Sequence, residues 1–252
     1  MFTTLHAGSG RFLRPLAAGV LAAAVIGATL TPSVDAQSLG SLTSEPAPEP
    51  PTTLDPDPVV TPPDQGPTLA VFIGDSFTSP AKVGTPVDNW AEIVAERFCW
   101  DPTYLATGGS GYITIPERVK FTERIPAATA VGADVIVVQG STNDYRHLDT
   151  ILAEGVSETL QGVVAANPQA QVVVLGPTRP VVSSAPGVDR MRALMSRASA
   201  DLGLPFVDGS DPTWLGHPDH YIDNQHLTPL GHAEFGRLVG DEFAAIPVES
   251  GC

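Results

Sequence analysis

Basic side chains are scarce in this sequence: 13 lysines and arginines stand against 28 aspartates and glutamates, a formal charge of −15 over 252 residues. So acidic a body is a poor ligand for nucleic acid or an anionic lipid surface, because both require a basic patch. Cysteine is nearly absent, represented by Cys99 and Cys252 alone. No apolar run is long enough to cross a bilayer: the stretch at residues 16–30 has 15 residues, where about 20 are needed. The Gly-x-Gly-x-x-Gly spacing of a dinucleotide-binding turn is missing from the Gly108-Gly109-Ser110-Gly111 run, and no internal repeat is visible.

What the amino end does contain has a familiar physical pattern. Arg11 and Arg14 precede the apolar stretch, and a small-x-small end closes at Ala36. Positive flank, short apolar centre and small residues describe a secretory signal peptide over residues 1–36, with an uncleaved anchor as the alternative. The arginines are not adjacent and no cysteine sits at the cleavage site, which speaks against a twin-arginine route and a lipid-modified terminus. Cleavage removes two arginines and one aspartate and takes the formal charge from −15 to −16. Such charge suits solubility outside the cell, with no stable membrane insertion. Residues 37–67 are dominated by proline, serine, threonine and acidic residues. They read as an extended disordered spacer, or as a proline-rich ligand for a partner domain.

The remaining residues, 68–252, alternate between strand-like and helix-like segments. Residues 68–73 are a continuous apolar run, the pattern of a strand covered on both faces. A helix is expected over residues 89–99, with Asp88 as its cap and Trp90, Ile93, Val94 and Phe98 at helical spacing. Strands follow at residues 103–106, 134–139, 171–175 and 205–207. Helical stretches lie between them at 117–130 (interrupted by Pro126), 148–166 and 187–202, the last capped by Gly203. A final helix spans 228–245, with Pro229 in its first turn. This alternation implies a three-layer, doubly wound parallel sheet, and five strands fit the flavodoxin-like order 2-1-3-4-5. In that topology the first and last helices share a face and end away from the ligand-binding edge. Cys99 and Cys252 are thereby brought near each other, which favours a disulfide over a catalytic thiol.

Polar residues gather where the strands end. Ser76 follows the first strand, Gly108-Gly109 the second, and Asn143 the third; Asp223 and His226 occupy the loop after the fifth. In open parallel sheets ligands bind at this carboxyl edge. Asp223 and His226 are three residues apart, a spacing that lets the carboxylate hold one ring nitrogen while the other faces outward. A serine, an imidazole, an orienting acid and amide donors are the parts of an acyl-transfer site.

The blocks Gly74-Asp75-Ser76, Gly108-Gly109-Ser110, Ser141-Thr142-Asn143-Asp144 and Asp223-Asn224-Gln225-His226 resemble, in kind and order, those of the SGNH, or GDSL-type, hydrolase family of esterases and lipases. The resemblance extends over roughly residues 68–245. It implies Ser76 as nucleophile, His226 as general base and Asp223 as its orienter. It further implies an oxyanion hole made by the amides of Ser76 and Gly109 with the Asn143 side chain. Two positions depart from the family pattern: Ser141 stands where glycine is usual, and Phe77 replaces leucine.

Other readings compete at several positions. An isolated Gly-Asp-Ser is more often a helix cap, and His226 alone an ordinary histidine at a helix start. Asp75 reads as a structural acceptor for loop amides. His217, Asp219 and His220 lie close together, yet surface histidines in a proline-containing loop explain them better than a metal, and neither metal nor cofactor is expected. His232 is expected to pack in the last helix. Trp214 and Tyr221 are candidates for a substrate platform, for example under a sugar ring, or for loop packing. The sequence therefore predicts a secreted serine esterase acting on short acyl esters, with acetylated carbohydrate as a candidate substrate. A lipase or phospholipase for longer chains is the alternative, and a non-catalytic carbohydrate-binding envelope protein is the reading from a different class.

Overall fold

The structure is a computed structural model that describes residues 66–79, 89–113, 119–180, 185–223 and 225–252. The expected signal peptide, nearly all of the spacer, and Asp88 and Asn224 lie outside the described residues.

Five parallel strands form one sheet in the order β2-β1-β3-β4-β5. They are β1 (Thr68–Gly74), β2 (Trp100–Ala106), β3 (Val135–Gln139), β4 (Gln171–Leu175) and β5 (Phe206–Val207). Alternate side chains leave opposite faces of a strand, and here both faces are apolar. Ala70, Phe72, Val135, Val137, Val173 and Leu175 enter one buried cluster. Val71, Ile73, Ile136, Val138, Val172 and Val174 enter the other. Helices α1 (Trp90–Arg97) and α5 (Pro229–Ala244) cover the first face, through Trp90, Val94, Phe235, Val239 and Phe243. The second face is covered by α2 (Ile125–Val131), α3 (Asp149–Ala166) and α4 (Ala185–Asp201). The doubly wound fold and the strand order expected from the sequence are both present.

Three boundaries differ from expectation, each for a local reason. Strand β2 begins at Trp100 and runs through Pro102. As the outermost strand it pairs only with β1, and an edge position tolerates a residue without an N–H. Pro126 does not interrupt a helix; it lies in the first turn of α2, after a short 3-10 segment at Phe121–Arg124. There its missing donor is one the helix leaves unpaired anyway. The cap of α1 is Asn89, whose side chain accepts from the Ala91 amide. A cap of this kind stabilises a helix by about 1 kcal/mol.

The carboxyl terminus is fastened beneath the amino-terminal edge of the sheet. The Trp100 indole donates to the Glu249 carbonyl at 2.8 Å, and the Gly251 amide donates to the Phe98 carbonyl at 2.9 Å. Cys99 and Cys252 are joined by a disulfide with Cα atoms 5.4 Å apart. Cys99 turns the chain from α1 into β2 with φ of 54°, a left-handed conformation that is costly for a residue bearing a Cβ.

Candidate active site

The site begins where β1 runs out. Ser76 occupies a tight turn after Gly74, with the Thr78 and Ser79 amides both donating to the Asp75 carbonyl. A Cβ on Gly74 would lie 2.3 Å from Thr78 Oγ1, so only glycine lets the chain turn here. Helix α1 holds the turn from its amino end. The Trp90 indole donates to the Phe77 carbonyl at 2.9 Å and the Asn89 amide to the Thr78 carbonyl at 3.3 Å. Thr78 Oγ1 in turn donates to Gln139 Oε1 at 2.7 Å, at the end of β3.

His226 comes from the far end of the chain in a narrow loop. Tyr221 and Leu227 form an antiparallel bridge, and the Ile222 amide donates to the His226 carbonyl at 2.8 Å. Thr228 caps α5 through Gly231 and donates its hydroxyl to the Asp219 carbonyl. Fixed in this way, His226 places Nε2 3.2 Å from Ser76 Oγ and Nδ1 2.8 Å from Asp223 Oδ2. The other carboxylate oxygen of Asp223 accepts from the amides of His226 (2.7 Å) and Gln225 (3.1 Å). Donation from the His226 amide, and then from its ring, holds the Asp223 carboxyl down at about 2. The carboxylate thus stays charged and aimed at the ring. A hydroxyl, an imidazole and a carboxylate linked in series can move a proton off the hydroxyl.

The glycine block passes beside the serine. Thr107–Ser110 is a turn closed by donation from the Ser110 amide to the Thr107 carbonyl. Gly109 sits in it with φ of 77°, which a side chain would oppose. A Cβ built on Gly108 would lie 3.8 Å from Ser76 Cβ. The Asn143 side-chain amide donates to the Ser110 carbonyl at 2.9 Å and to Asp75 Oδ2 at 3.4 Å. Segments from β1, β2, β3 and the loop before α5 thus meet at one end of the sheet.

Two buried carboxylates lie behind this surface, one of which sequence reasoning passed over. Asp75 accepts from the Phe77 amide at 2.9 Å; burial pushes its carboxyl up to about 6, against the stabilising donors of Phe77 and Ser141. It serves loop donors, as the sequence suggested. Asp144 accepts from the amides of Tyr112 (2.8 Å) and Ile113 (3.3 Å), and burial raises it to about 7. Asp144 therefore anchors the chain just beyond the glycine block. Its place directly after Asn143 in the third block was the only sequence signal for it.

Trp214 and Tyr221 are engaged in packing. Trp214 meets Phe235 of α5 edge-on at 5.8 Å. Tyr221 is half-buried, donates to the Arg179 carbonyl at 3.0 Å, and lines a small cavity of about 70 Å³ with Arg179, Asp211 and Leu215. His217 caps the short turn at Pro218–His220 by accepting from the Asp219 amide. Among the described residues no three histidine, cysteine or acidic side chains are grouped to hold a metal, and no helix is long and apolar enough to cross a membrane. His232 is buried in α5, where Nδ1 accepts from the Trp90 amide at 3.4 Å.

Solved structures with this fold include three esterases. Est24, a carbohydrate acetylesterase from Sinorhizobium meliloti, is 16% identical with a TM-score of 0.57, over 70% of this chain and 98% of its own. The psychrotrophic esterase EstA from Pseudoalteromonas sp. is 11% identical with a TM-score of 0.59, over 71% and 97%. The M. smegmatis aryl esterase, in an inhibitor-bound form, is 16% identical with a TM-score of 0.57, over 71% and 99%. No curated protein sequence matches the chain. A model of the GDSL-like lipase/acylhydrolase family, however, matches residues 72–234, a span that takes in all four blocks. With the blocks, the fold and the family match in agreement, this chain belongs to the GDSL-like lipase/acylhydrolase family and is an ester hydrolase of the SGNH type.

Proposed function

We propose that the protein is an exported serine esterase that cleaves short acyl esters, acetylated carbohydrate among them, through Ser76, His226 and Asp223. The observation that carries this reading is the hydrogen-bonded series from Ser76 Oγ through His226 to Asp223. His226 Nε2 takes the hydroxyl proton as Ser76 Oγ attacks the ester carbonyl. The tetrahedral oxyanion is received by the amides of Ser76 and Gly109 and by the side chain of Asn143, which gives up its long 3.4 Å bond to Asp75 and keeps the one to the Ser110 carbonyl. When the carbon–oxygen bond to the alcohol breaks, His226 returns the proton to the departing oxygen. Water, deprotonated by the same imidazole, then releases the acid and restores Ser76.

Support for the substrate class is chemical. Asp223 is half-exposed, so the proton relay lies near the surface and not in a deep tunnel. One structural neighbour is a carbohydrate acetylesterase. The apolar amino-terminal stretch, the acidic body and the Cys99–Cys252 bond all favour export. A second reading, hydrolysis of longer acyl chains, is favoured by Ile222 and Leu230. These are exposed apolar side chains on either side of the Asp223–His226 segment.

A fluorophosphonate is expected to label the purified protein at one site, Ser76. Sugar binding without labelling would move the protein to the non-catalytic class. On a series of esters of one alcohol, kcat/KM is expected to be highest for acetate and to fall with acyl length. A maximum at eight carbons or more would instead select the lipase reading.

Two substitutions probe the supporting parts. Asn143→Ala removes one oxyanion donor and is expected to lower kcat about a hundredfold to a thousandfold, with the thermal midpoint little changed. Full turnover would strike Asn143 from the hole. Asp223→Asn is expected to lower kcat about a hundredfold to a thousandfold, less than the roughly ten-thousandfold seen for a buried triad acid, because solvent reaches Asp223. A loss under tenfold would show that the imidazole keeps its orientation without this carboxylate.

A further inference from the structure

Ser141 stood out in the sequence as a departure, a side chain at a position usually left to glycine. In the structure it is fully buried, and its hydroxyl both accepts and donates a hydrogen bond. Oγ accepts from the Asn143 backbone amide at 3.0 Å and donates to the Ser110 carbonyl at 3.0 Å. The same Ser110 carbonyl accepts from the Asn143 side-chain amide at 2.9 Å. One carbonyl with two lone pairs thus gathers the Ser141 hydroxyl and the Asn143 side chain.

Ser110 is the residue after Gly109. Its own amide closes the Gly109 turn, and its hydroxyl reaches the Gly74 and Thr107 carbonyls. The chain of bonds therefore runs from the end of β1, through the turn carrying Gly109, to Ser141 and on to both amides of Asn143. Asp75 borders the same group, 3.4 Å from Asn143 Nδ2, and shares with the Ser110 carbonyl the single proton of the Ser141 hydroxyl. A buried hydroxyl in such a place has no water to replace a lost partner. Deleting it leaves the Asn143 backbone amide unpaired and removes one of the ties between the third loop and the second, leaving Asn143 Nδ2 on Ser110 and Asp144 on Tyr112 and Ile113 to hold them less closely.

We infer that Ser141 is a positioning residue for oxyanion stabilisation: its hydroxyl fastens the loop carrying Asn143 to the turn carrying Gly109 and so sets the spacing between those two donors. This rests on the reading of Gly109 and Asn143 given above. An oxyanion hole acts by preorganised geometry, and a misplacement on the order of 1 Å can cost a hundredfold in rate. A fill of buried space would instead affect stability alone.

The test is a double-mutant cycle with Ser141→Ala, Ser141→Gly and Ser141→Thr, each alone and combined with Asn143→Ala. Rates are expressed per active site, titrated with a fluorophosphonate, so that any unfolded fraction does not enter. Ser141→Ala and Ser141→Gly are expected to lower kcat about tenfold to a hundredfold, with KM changed less than twofold, and Ser141→Thr to recover most of the loss. In the Asn143→Ala background the same changes are expected to alter kcat less than threefold, because the group being positioned is gone. The inference is overturned if Ser141→Ala leaves kcat unchanged, or if its effect multiplies undiminished onto Asn143→Ala. Asn143→Ala with full activity would overturn the oxyanion assignment itself, and Ser141 with it. An impaired Asn143→Ala beside an undiminished or absent Ser141 effect overturns this inference alone.

Discussion

Replacing Ser76 by alanine is expected to lower kcat for ester hydrolysis by about a hundred-thousandfold to a millionfold while leaving the fold intact. The size of the effect follows from the role of the lost atom. In the proposed mechanism Oγ forms the acyl-enzyme, and it is the hydroxyl that His226 Nε2 meets, at 3.2 Å. The fold should be spared because the turn is held by backbone bonds to the Asp75 carbonyl and by the Trp90 indole on the Phe77 carbonyl. None of these uses the serine side chain. The Asp223–His226 pair and the Asn143 donor remain, so residual turnover should exceed the uncatalysed rate by about a thousandfold or more. The measurement is kcat/KM on an aryl acetate together with the thermal midpoint. Turnover within tenfold of the parent protein would mean that catalysis does not pass through Ser76.

The second large effect concerns stability. Breaking the Cys99–Cys252 bond with Cys252→Ser is expected to destabilise the protein by about 2–5 kcal/mol. The bond closes a segment with a sequence separation of 153 residues, and a loop that long lies near the upper end of the entropic estimate, about 5 kcal/mol. Contacts that survive reduction, such as Trp100 to the Glu249 carbonyl and the Glu249 amide to Gln171, keep the terminus docked in the native state. They do nothing to restrain the unfolded chain. Cys99→Gly separates two contributions: it also breaks the bond, but it relieves the left-handed backbone at Cys99, a gain of about 1 kcal/mol. Denaturant titration should therefore rank parent above Cys99→Gly above Cys252→Ser. Equal stability of parent and Cys252→Ser would remove the bond from the account of what holds this fold. Because the bond lies at the opposite end of the sheet from Ser76, the folded variants are expected to keep the parent kcat.

Much of this architecture is legible in one dimension because its determinants are short-range. The runs at Val71–Phe72–Ile73 and Val135–Val138 are apolar at every position, and only a strand covered on both faces buries all of them. Ser76, Asn143 and His226 each follow such a segment or open a helix, so strand direction alone brings them to one edge. Where reading failed, two residue types fitted equally well locally and distant partners chose between them. An acid and an amide can both cap a helix, but Asn89 also donates to the Thr78 carbonyl, which a carboxylate cannot do. Strand β2 starts at Trp100, ahead of the expected 103, and takes in Pro102 because at the sheet edge a missing N–H is harmless.

Hydrophobic period and the alternation of elements are enough to read off a layered five-stranded sheet, its strand order, and the four segments that bring polar groups to one edge. How those groups pair with one another emerges from the folded chain alone. Trp214 and Tyr221 went to packing, Asp144 became a buried anchor, and Ser141, a departure on the page, became a bridge between two loops. The reason is that hydrogen-bond pairing in a buried site depends on distances of about 3 Å between atoms tens of residues apart, which local pattern does not encode.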